Sequence, residues 1–285
     1  MPSLRGLLDG QRLTASAAPF DGRRASLRAL DATLGIGGLP QSATGQAALL
    51  TGRNVPGELG YHYGPKPDPA VARIIQDGSI FSWARAASKR AALLNAYPPL
   101  YFRGITSGKR LYSSIPLAVT SAGIPLFTRD DLSAGQALAA DFTGRGWRSV
   151  LHMRDTPTLD EGAAGRKLAE LASQYDLALF DFWASDYAGH RQDMRAAVDL
   201  LEALDTVLGG LLEVWPGKLD LVLLTSDHGN MEDLSTRRHT LARVPALLVG
   251  EPAPREAFLR GLKNIADIAG AIARFLGISR VPAGT

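Results

Sequence analysis

The 285-residue chain contains no cysteine. This absence excludes disulfide bonds, thiolate zinc sites, iron–sulfur clusters and cysteine nucleophiles. Any metal ion that the chain binds must therefore be held by nitrogen and oxygen ligands, which the histidines and the carboxylates would supply.

Membrane and nucleic-acid signals are also missing. No apolar run approaches the ~20 residues that cross a bilayer, and the opening MPSLRGLLDGQRL lacks the apolar core and cleavage site of a signal peptide. The net charge is only +3, and no lysine/arginine cluster of the kind typical of nucleic-acid-binding proteins is present. We therefore expect a cytoplasmic protein that binds neither membranes nor nucleic acid; the sequence leaves its oligomeric state open.

What is present is an ordinary globular composition, with 46% apolar and 21% charged residues. Helical spacing over 191–213 and 264–276, and a capping box of Thr158 and Glu161, predict three helices. Because such helices alternate with short buried strands, we expect an α/β three-layer sandwich with a mainly parallel central sheet. The predicted strands are 91–96, 177–183, 219–225 and 244–249.

The chain is expected to form a single core domain over 1–285. Residues 97–147 differ from the rest, since they are rich in aromatic residues, proline and serine and show poor periodicity. We interpret them as a small, irregular, cap-like insertion over one edge of the sheet. The alternative is a set of ordinary connecting loops.

Three of the five histidines follow or precede predicted strands, beside acids or glycine turns. Asp227 and His228 come directly after a strand, where α/β sheets bind ligands. Asp186 and His190 are four residues apart at a helix start and so share one face. His239 lies just before another strand. These residues are candidate metal ligands.

A candidate nucleophile lies in LPQSATGQAALLTGRN, residues 39–54. Ser42 precedes a helical pattern whose free N–H groups and dipole favour an anion. A serine so placed can attack phosphorus with the help of a bound metal. Thr44 competes for the same position. Taken singly, each of these patterns is also typical of a polar loop or a helix cap.

Together the motifs resemble those of the alkaline-phosphatase superfamily of metalloenzymes, in the branch with cofactor-independent phosphoglycerate mutase and phosphopentomutase. The chain has Ser42, then D-x-x-G-H from Asp186 to His190, then D-H-G-N from Asp227, then His239–Thr240 before a V-P strand. The resemblance covers roughly 40–60 and 176–276. It implies that Ser42, and not Thr44, is the nucleophile.

The resemblance also implies two divalent metal ions, Mn²⁺ or Zn²⁺. One would be bound by Asp186, His190 and His239. The other would be bound by Asp227, His228 and Ser42, with an aspartate from the first strand. The implied reaction is phosphoryl transfer to a small phosphorylated substrate through a phosphoserine.

Mutases of this branch carry a large cap domain that retains the intermediate. Here only about 140 residues separate Ser42 from Asp186, and much of that interval must supply the core. We therefore favour a phosphatase or phosphodiesterase-like hydrolase. A phosphomutase and a metal-binding module that has lost catalysis are the alternatives. Substrate contacts are expected from Gln46, Arg53, Asn54, Tyr61, His62, Lys66, Asn95 and Tyr97.

The opening of the chain departs from the family pattern, which begins with an apolar strand ending in Asp-Gly. Asp9–Gly10 could be that pair, but just Leu7 and Leu8 precede it as an apolar pair. The spacing of MPSLRGLL instead predicts a helix with Ser3 as its cap. We therefore expect that the first strand is absent and that the chain lacks its true N-terminus.

Overall fold

The structure is a computed structural model that describes residues 1–215 and 220–278. Its strands are β1 (Phe20–Asp21), β2 (Ala25–Leu30), β3 (Ala91–Leu93), β4 (Leu177–Leu179), β5 (Val222–Thr225) and β6 (Val244–Val249). Its helices are α1 (Pro2–Leu7), α2 (Ser42–Thr51), α3 (Val55–Leu59), α4 (Pro69–Asp77), α5 (Ile80–Ala86), α6 (Pro99–Thr106), α7 (Ser114–Ser121), α8 (Arg129–Ser133), α9 (Arg145–Ser149), α10 (Glu161–Ala172), α11 (Ala184–Arg191), α12 (Met194–Val214), α13 (Pro252–Leu259) and α14 (Asp267–Phe275).

The strands form two sheets. Four of them pair in the order β1-β2-β6-β5, and every pair in this sheet is antiparallel. Strands β3 and β4 form a separate parallel pair. The α/β class is therefore confirmed, but the mainly parallel sheet is not observed among the described residues. The reason is the link from β5 to β6, which contains no crossover helix and so returns the chain antiparallel.

Strand β6 shows how the sheet separates two helical layers. Its alternate residues Val244, Ala246 and Leu248 enter a core that includes α2, α4, α5, α7 and α14. Leu247 and Val249 point to the other face, where α1 and α12 pack. Apolar residues on both faces are typical of a strand buried between two helical layers.

The sequence predicted the bounds of some strands better than those of others. The predicted strand 244–249 is β6, whereas β3 and β4 are shorter than predicted and β5 begins at Val222. Leu219, the start of the predicted strand, lies outside the described residues. Strand β2 was missed because Ser26 and Arg28 interrupt its apolar pattern. Buried Arg255 binds the Ser26 hydroxyl at 2.7 Å and so allows this polar residue in the core.

Two predicted helix starts need correction. The Thr158/Glu161 capping box is wrong, since α10 is capped by Asp160, whose Oδ1 accepts the Ala163 N–H at 2.6 Å. The pattern over 191–213 is divided between α11 and α12. Gln192, with φ +58°, ends α11, and Asp193 caps α12.

The opening segment forms the predicted helix, α1, but Ser3 does not cap it. Instead the backbone N–H groups of Ser3 and Leu4 donate to the buried Asp205 carboxylate on α12, at 3.0 and 2.7 Å. Asp9 lies in the turn after α1, with its carboxylate beside Gly22. It therefore follows a helix and not a strand.

Residues 97–147 are more regular than their sequence indicates, since α6, α7 and α8 lie there and α9 begins there. Helix α7 belongs to the principal core and is joined to α2 by the Ser114 hydroxyl, which donates to the Ala43 carbonyl at 3.0 Å. Leu132, Ala137 and Trp147 form a smaller cluster. Among the described residues, no helix is long and apolar enough to cross a bilayer.

Candidate metal and nucleophile site

The candidate site lies where several chain segments end near one another. Helix α11, which follows β4, and the loop after β5 supply acids and histidines. Helix α2 supplies its first residue, and the segment before β6 supplies another histidine. The Thr240 N–H donates to the Gly229 carbonyl at 3.1 Å, which joins the two ends of the β5–β6 connection. This pairing brings His239 beside His228, and their rings stack with centroids 3.6 Å apart.

Asp186, His190 and His239 converge on one point. Oδ1 of Asp186 lies 3.3 Å from Nε2 of each histidine, and the two Nε2 atoms are 3.2 Å apart. Asp186 and His190 reach the same point because they are separated by one turn of α11. The structure thus brings together the three residues assigned to one predicted metal ion.

The other nitrogen of each histidine is already engaged. Nδ1 of His190 lies 2.7 Å from the Arg237 carbonyl, and Nδ1 of His239 lies 2.7 Å from the Pro40 carbonyl. A carbonyl only accepts, so each Nδ1 carries the proton and, in the neutral ring, each Nε2 presents a lone pair. Two lone pairs facing one carboxylate fit a divalent cation, since backbone contacts of this kind orient metal-binding histidines.

The charges of the trio favour a cation. Burial raises the pKa of Asp186, but its hydrogen bond to His239 and the nearby His228 and Asn230 outweigh burial and lower it overall. Burial lowers the pKa of His239, but contact with Asp186 and the Pro40 carbonyl raises it overall. Asp186 therefore stays ionised, and the site has a negative charge that attracts positive ions.

Ser42, Asp227 and His228 form the second cluster. Nε2 of His228 lies 3.0 Å from Oγ of Ser42 and 3.5 Å from Oδ2 of Asp227. It is also 3.9 Å from Oδ1 of Asp186, so the two clusters are neighbours. Asp186, His228 and His239 can each place a ligand atom within 4.8 Å of the others.

Two polar atoms in this second cluster are buried without a hydrogen-bond partner. They are Oδ2 of Asp227 and Nδ1 of His228. An unpartnered carboxylate oxygen in a buried site is costly, and a bound cation would remove that cost. The donor set of one carboxylate, one imidazole and one hydroxyl therefore fits a divalent ion.

Ser42 and Thr44 have different surroundings. Ser42 is the first residue of α2, with a half-buried side chain that contacts His228. Thr44 is fully buried, and its hydroxyl contacts the carbonyls of Gln41 and Tyr63 at 3.2 and 3.3 Å. Of these two hydroxyls, only that of Ser42 contacts His228.

Two glycines allow the elements of the site to approach one another. A Cβ atom at Gly45 would lie 2.7 Å from the Asp227 carbonyl oxygen. A Cβ atom at Gly189 would lie 2.0 Å from Oδ1 of Asn230. Helices α2 and α11 can therefore contact the D-H-G-N loop only because these positions lack a side chain.

Sequence reasoning did not assign a role to two residues of the site. Asn230 is buried, and its Nδ2 donates to the Asp186 carbonyl at 3.1 Å and to the Asp186 carboxylate at 2.5 Å. Its place in the D-H-G-N motif was the available signal. Asp181 lies two residues after β4; burial, and next the charge of Asp227, raise its pKa to about 7, which sequence spacing alone does not reveal.

The predicted substrate residues are scattered. Arg53 pairs with Glu58 and, at 3.7 Å, with Asp77. Asn54 caps α3 through the Gly57 N–H. His62 contacts the Ile36 carbonyl at 3.3 Å, and its burial lowers its pKa although backbone hydrogen bonds oppose the change.

Gln46 lies closer to Ser42 along the chain than these three residues do. It lies one helical turn after Ser42 on α2, with its side chain partly exposed on the same face. None of the remaining substrate candidates forms a side-chain hydrogen bond with Ser42 in the described part of the chain. Tyr61 contacts Asp68, Tyr97 packs on Tyr101, Asn95 binds the backbone of Asp181, and Lys66 forms no ion pair among the described residues.

Comparison with known proteins identifies the same region. Residues 150–280 match the family model of the Metalloenzyme superfamily. The chain is 33% identical over 123 residues to the 2,3-bisphosphoglycerate-independent phosphoglycerate mutase of Thiobacillus denitrificans, a match covering 40% of this chain and 23% of that enzyme. The enzyme of the same name from Halobacterium salinarum is 30% identical over 162 residues, covering 52% and 31%.

These matches confirm the resemblance found in the motifs, although the chain spans less than a third of the mutases it matches. A comparison of structures aligns nearly the whole chain. Alkaline phosphatase from the Antarctic bacterium TAB5 aligns with 98% of this chain and 94% of its own length, at a TM-score of 0.58 and 12% identity. That likeness concerns the fold alone.

Proposed function

We propose that the chain, of which residues 150–280 match the family model of the Metalloenzyme superfamily, is a metal-dependent phosphohydrolase that acts through a phosphoserine on Ser42. The observation that carries the proposal is the contact of 3.0 Å between Oγ of Ser42 and Nε2 of His228, beside the trio of Asp186, His190 and His239. A nucleophile and a metal-binding cluster at one point are the requirements of this chemistry.

Two divalent ions, Mn²⁺ or Zn²⁺, fit the two clusters. Asp186, His190 and His239 would hold one, and Asp227, His228 and Ser42 the other. Bound there, the ions would supply positive charge that lowers the pKa of the serine hydroxyl and offsets charge on the phosphoryl oxygens.

The residues of the chain then have separate roles. Oγ of Ser42 forms the new bond to phosphorus as the bond from phosphorus to the leaving oxygen breaks. The free N–H groups at the start of the ten-residue helix α2 bind phosphoryl oxygens. Gln46, one turn further, is placed to contact the substrate. Water then attacks the phosphoserine, which releases phosphate and restores Ser42.

Hydrolysis is favoured over mutase chemistry by the packing of residues 97–147. Helix α7, from the middle of that segment, is part of the principal core, and Ser42 keeps a partly exposed side chain. A water molecule can therefore reach the phosphoserine. The second candidate is a phosphomutase, which the names of the mutase relatives support.

The third alternative is a module that binds metal without catalysis. The retention of Ser42, in contact with His228, argues against it, because a binding module has no need of a nucleophile at that position. The substrate of the proposed reaction is a small phosphorylated molecule.

The experiment compares the 285-residue chain with Ser42→Ala on phosphate monoesters, diesters and phosphosugars, in the presence of Mn²⁺ or Zn²⁺. We expect phosphate release and a phosphorylated Ser42, detectable by mass spectrometry, only in the wild type. Transfer to a second hydroxyl of the substrate without phosphate release would favour the mutase. Equal phosphate release by both proteins would refute the role of Ser42.

A further inference from the structure

Helix α11 carries two aromatic residues on the face that also carries the metal-ligand candidates. Asp186 and His190 follow Trp183 by three and seven positions. Tyr187 follows it by four, so the four residues share one face of the helix. Trp183 belongs to the first turn, because its carbonyl accepts the Tyr187 N–H at 3.4 Å. Residues at such spacings have Cβ atoms ~5–6 Å apart, so the side chain of Trp183 begins beside that of Asp186.

The fold makes little use of the indole of Trp183. This residue is 56% exposed, whereas Trp83 and Trp147 are buried and Trp215 is half-buried. In the part of the chain that the structure describes, Trp183 belongs to none of the apolar clusters, and neither an aromatic ring nor a cation packs on it. Single exposed apolar side chains are ordinary in proteins, but this one lies one helical turn from a candidate metal ligand.

Tyr187, by contrast, already has a partner. The guanidinium carbon of Arg191 lies 4.4 Å from the centre of the Tyr187 ring, and a nitrogen of the same group donates to the Tyr187 hydroxyl at 3.0 Å. The two contacts hold the ring in one orientation. Trp183 and Tyr187, which we call the aromatic platform, therefore offer one ring that is covered by a cation and one that is free.

The aromatic platform lies on the open side of the site. The side chains of Asp186 and His190 are 36% and 40% exposed, so the face of α11 that they share with the platform is accessible to a substrate. Attack by Oγ of Ser42 displaces the leaving oxygen on the opposite side of phosphorus. Ser42 contacts His228 in the neighbouring cluster. A leaving group directed from there toward α11 would meet the platform.

We propose that the aromatic platform is a subsite for a planar ring in the leaving group, and that the substrate is a nucleoside 5′-monophosphate whose base stacks on Trp183. One turn of helix separates the indole from Asp186, so the ring must be joined to phosphorus through a spacer. The ribose of a nucleoside phosphate is such a spacer. The proposal names the substrate class of the proposed hydrolase, rests on that function, and adds no covalent step to it.

The first measurement is binding, which does not require turnover. The probe is the 5′-methylenephosphonate analogue of adenosine monophosphate, and its match is the same phosphonate of ribose, which lacks the base. With the wild type in Zn²⁺, the adenosine probe should quench the emission of Trp183 and bind ~5–50-fold more tightly than the ribose probe. The buried Trp83 and Trp147 should keep their emission.

Calorimetry then compares three variants. Trp183→Ala should bind both probes alike, and as weakly as the wild type binds the ribose probe. Trp183→Phe keeps a ring and should keep most of the preference for the base. Val214→Ala is the control and should bind like the wild type, since Val214 is exposed at the far end of α12, ~30 Å from the start of that helix.

Two results of these titrations would overturn the subsite. One is equal affinity of the wild type for the adenosine and ribose probes. The other is the loss of both probes by Trp183→Ala, because the indole would then support the structure of the site and not the binding of a base.

Turnover of adenosine 5′-monophosphate, ribose 5-phosphate and phenyl phosphate separates the subsite from the proposed function. Trp183→Ala should raise the KM for the nucleotide and leave its kcat unchanged, because stacking acts equally on the bound substrate and the transition state. The constants for ribose 5-phosphate should not change. Phenyl phosphate hydrolysed as efficiently as the nucleotide would overturn the nucleoside assignment, since its ring has no spacer.

The failures of the two proposals are distinguishable. A wild type that prefers the adenosine probe through Trp183 but releases no phosphate would support the subsite and refute the hydrolase. A wild type that releases phosphate from the nucleotide and from ribose 5-phosphate at equal kcat/KM would support the hydrolase and overturn the subsite.

Discussion

Oγ of Ser42 lies 3.0 Å from Nε2 of His228, although 186 positions separate the two residues in the chain. The contact joins the first residue of α2 to the loop after β5. It depends on the close approach of α2 to that loop at Gly45. The proposed nucleophile is therefore positioned by helix packing as well as by its own helix start.

The first prediction concerns this nucleophile. Ser42→Ala should lower the rate of phosphate release by ~10³-fold or more, as expected when a covalent nucleophile is removed. Thr44→Ala is the matched control, one residue beyond Ala43 on the same helix. It should cost stability of about 1 kcal/mol through its lost hydroxyl contacts and leave most of the activity. Equal losses of activity in the two variants would refute the assignment.

The second prediction concerns metal removal. A chelator should abolish activity and lower the melting temperature, because an ion that binds only the folded chain stabilises it by ~2.7 kcal/mol at 100 times its Kd. Added Mn²⁺ or Zn²⁺ should restore both. Calorimetry should show that His239→Ala loses one bound ion.

His152→Ala is the control for that experiment. His152 is exposed and lies outside the cluster, so its removal should leave metal binding unchanged. A His239→Ala variant that binds as many ions as His152→Ala would contradict the metal assignment.

The third prediction tests the approach of α2 to the metal loop. Gly45→Ala should displace Ser42 from His228, since its Cβ atom would lie 2.7 Å from the Asp227 carbonyl oxygen. We expect a lower kcat and weaker binding of the second ion. Gly270→Ala, in the interior of α14, is the control; its Cβ atom would meet only the flexible Arg274 at 3.5 Å. This change should stabilise the helix by up to ~1 kcal/mol without affecting activity.

The fourth prediction concerns the buried side chain of Arg255. Arg255 donates to the Ser26 hydroxyl at 2.7 Å and to the carbonyls of Gly22 and Arg23 at 2.8 and 3.1 Å. Arg255→Met should lower the free energy of unfolding by roughly 1–3 kcal/mol, because these buried acceptors lose their donor. Chemical denaturation measures this, and metal binding by the folded variant should be unchanged. Unaltered stability would show that the contacts contribute nothing net.

The sequence indicated the residues of the proposed metal site because each lies within a few residues of a strand end or a helix start. The pairs Asp186–His190 and Asp227–His228 are local patterns, and the side chains of each pair do lie close together, at 3.3 and 3.5 Å. Spacing could not show that His239 would join Asp186, since that contact depends on the pairing of Thr240 with Gly229. The family resemblance supplied it.

The sheet topology was harder to predict from the sequence. The apolar run of β6 predicts a buried strand, but nothing in its composition shows that it runs antiparallel to both neighbours. Strand β2 was hidden because its core position Ser26 is polar and is satisfied by Arg255, 229 positions away. Long-range hydrogen bonds of this kind have no signature in a single sequence.

The last prediction concerns Asn230, which binds the proposed metal ligand Asp186 and is not itself proposed as a ligand. Its Nδ2 holds both the carbonyl and the carboxylate of Asp186, and its own N–H donates to Glu232 at 2.7 Å. Asn230→Ala should free Asp186 to adopt other rotamers, so the first ion should bind ~10–100-fold more weakly, as measured by calorimetry. Asn230→Asp keeps the shape but places a second negative charge beside Asp186. If the amide acts by donating a hydrogen bond, Asn230→Asp should also bind the first ion more weakly. If Asn230→Ala instead bound that ion as tightly as the wild type does, α11 alone would position Asp186.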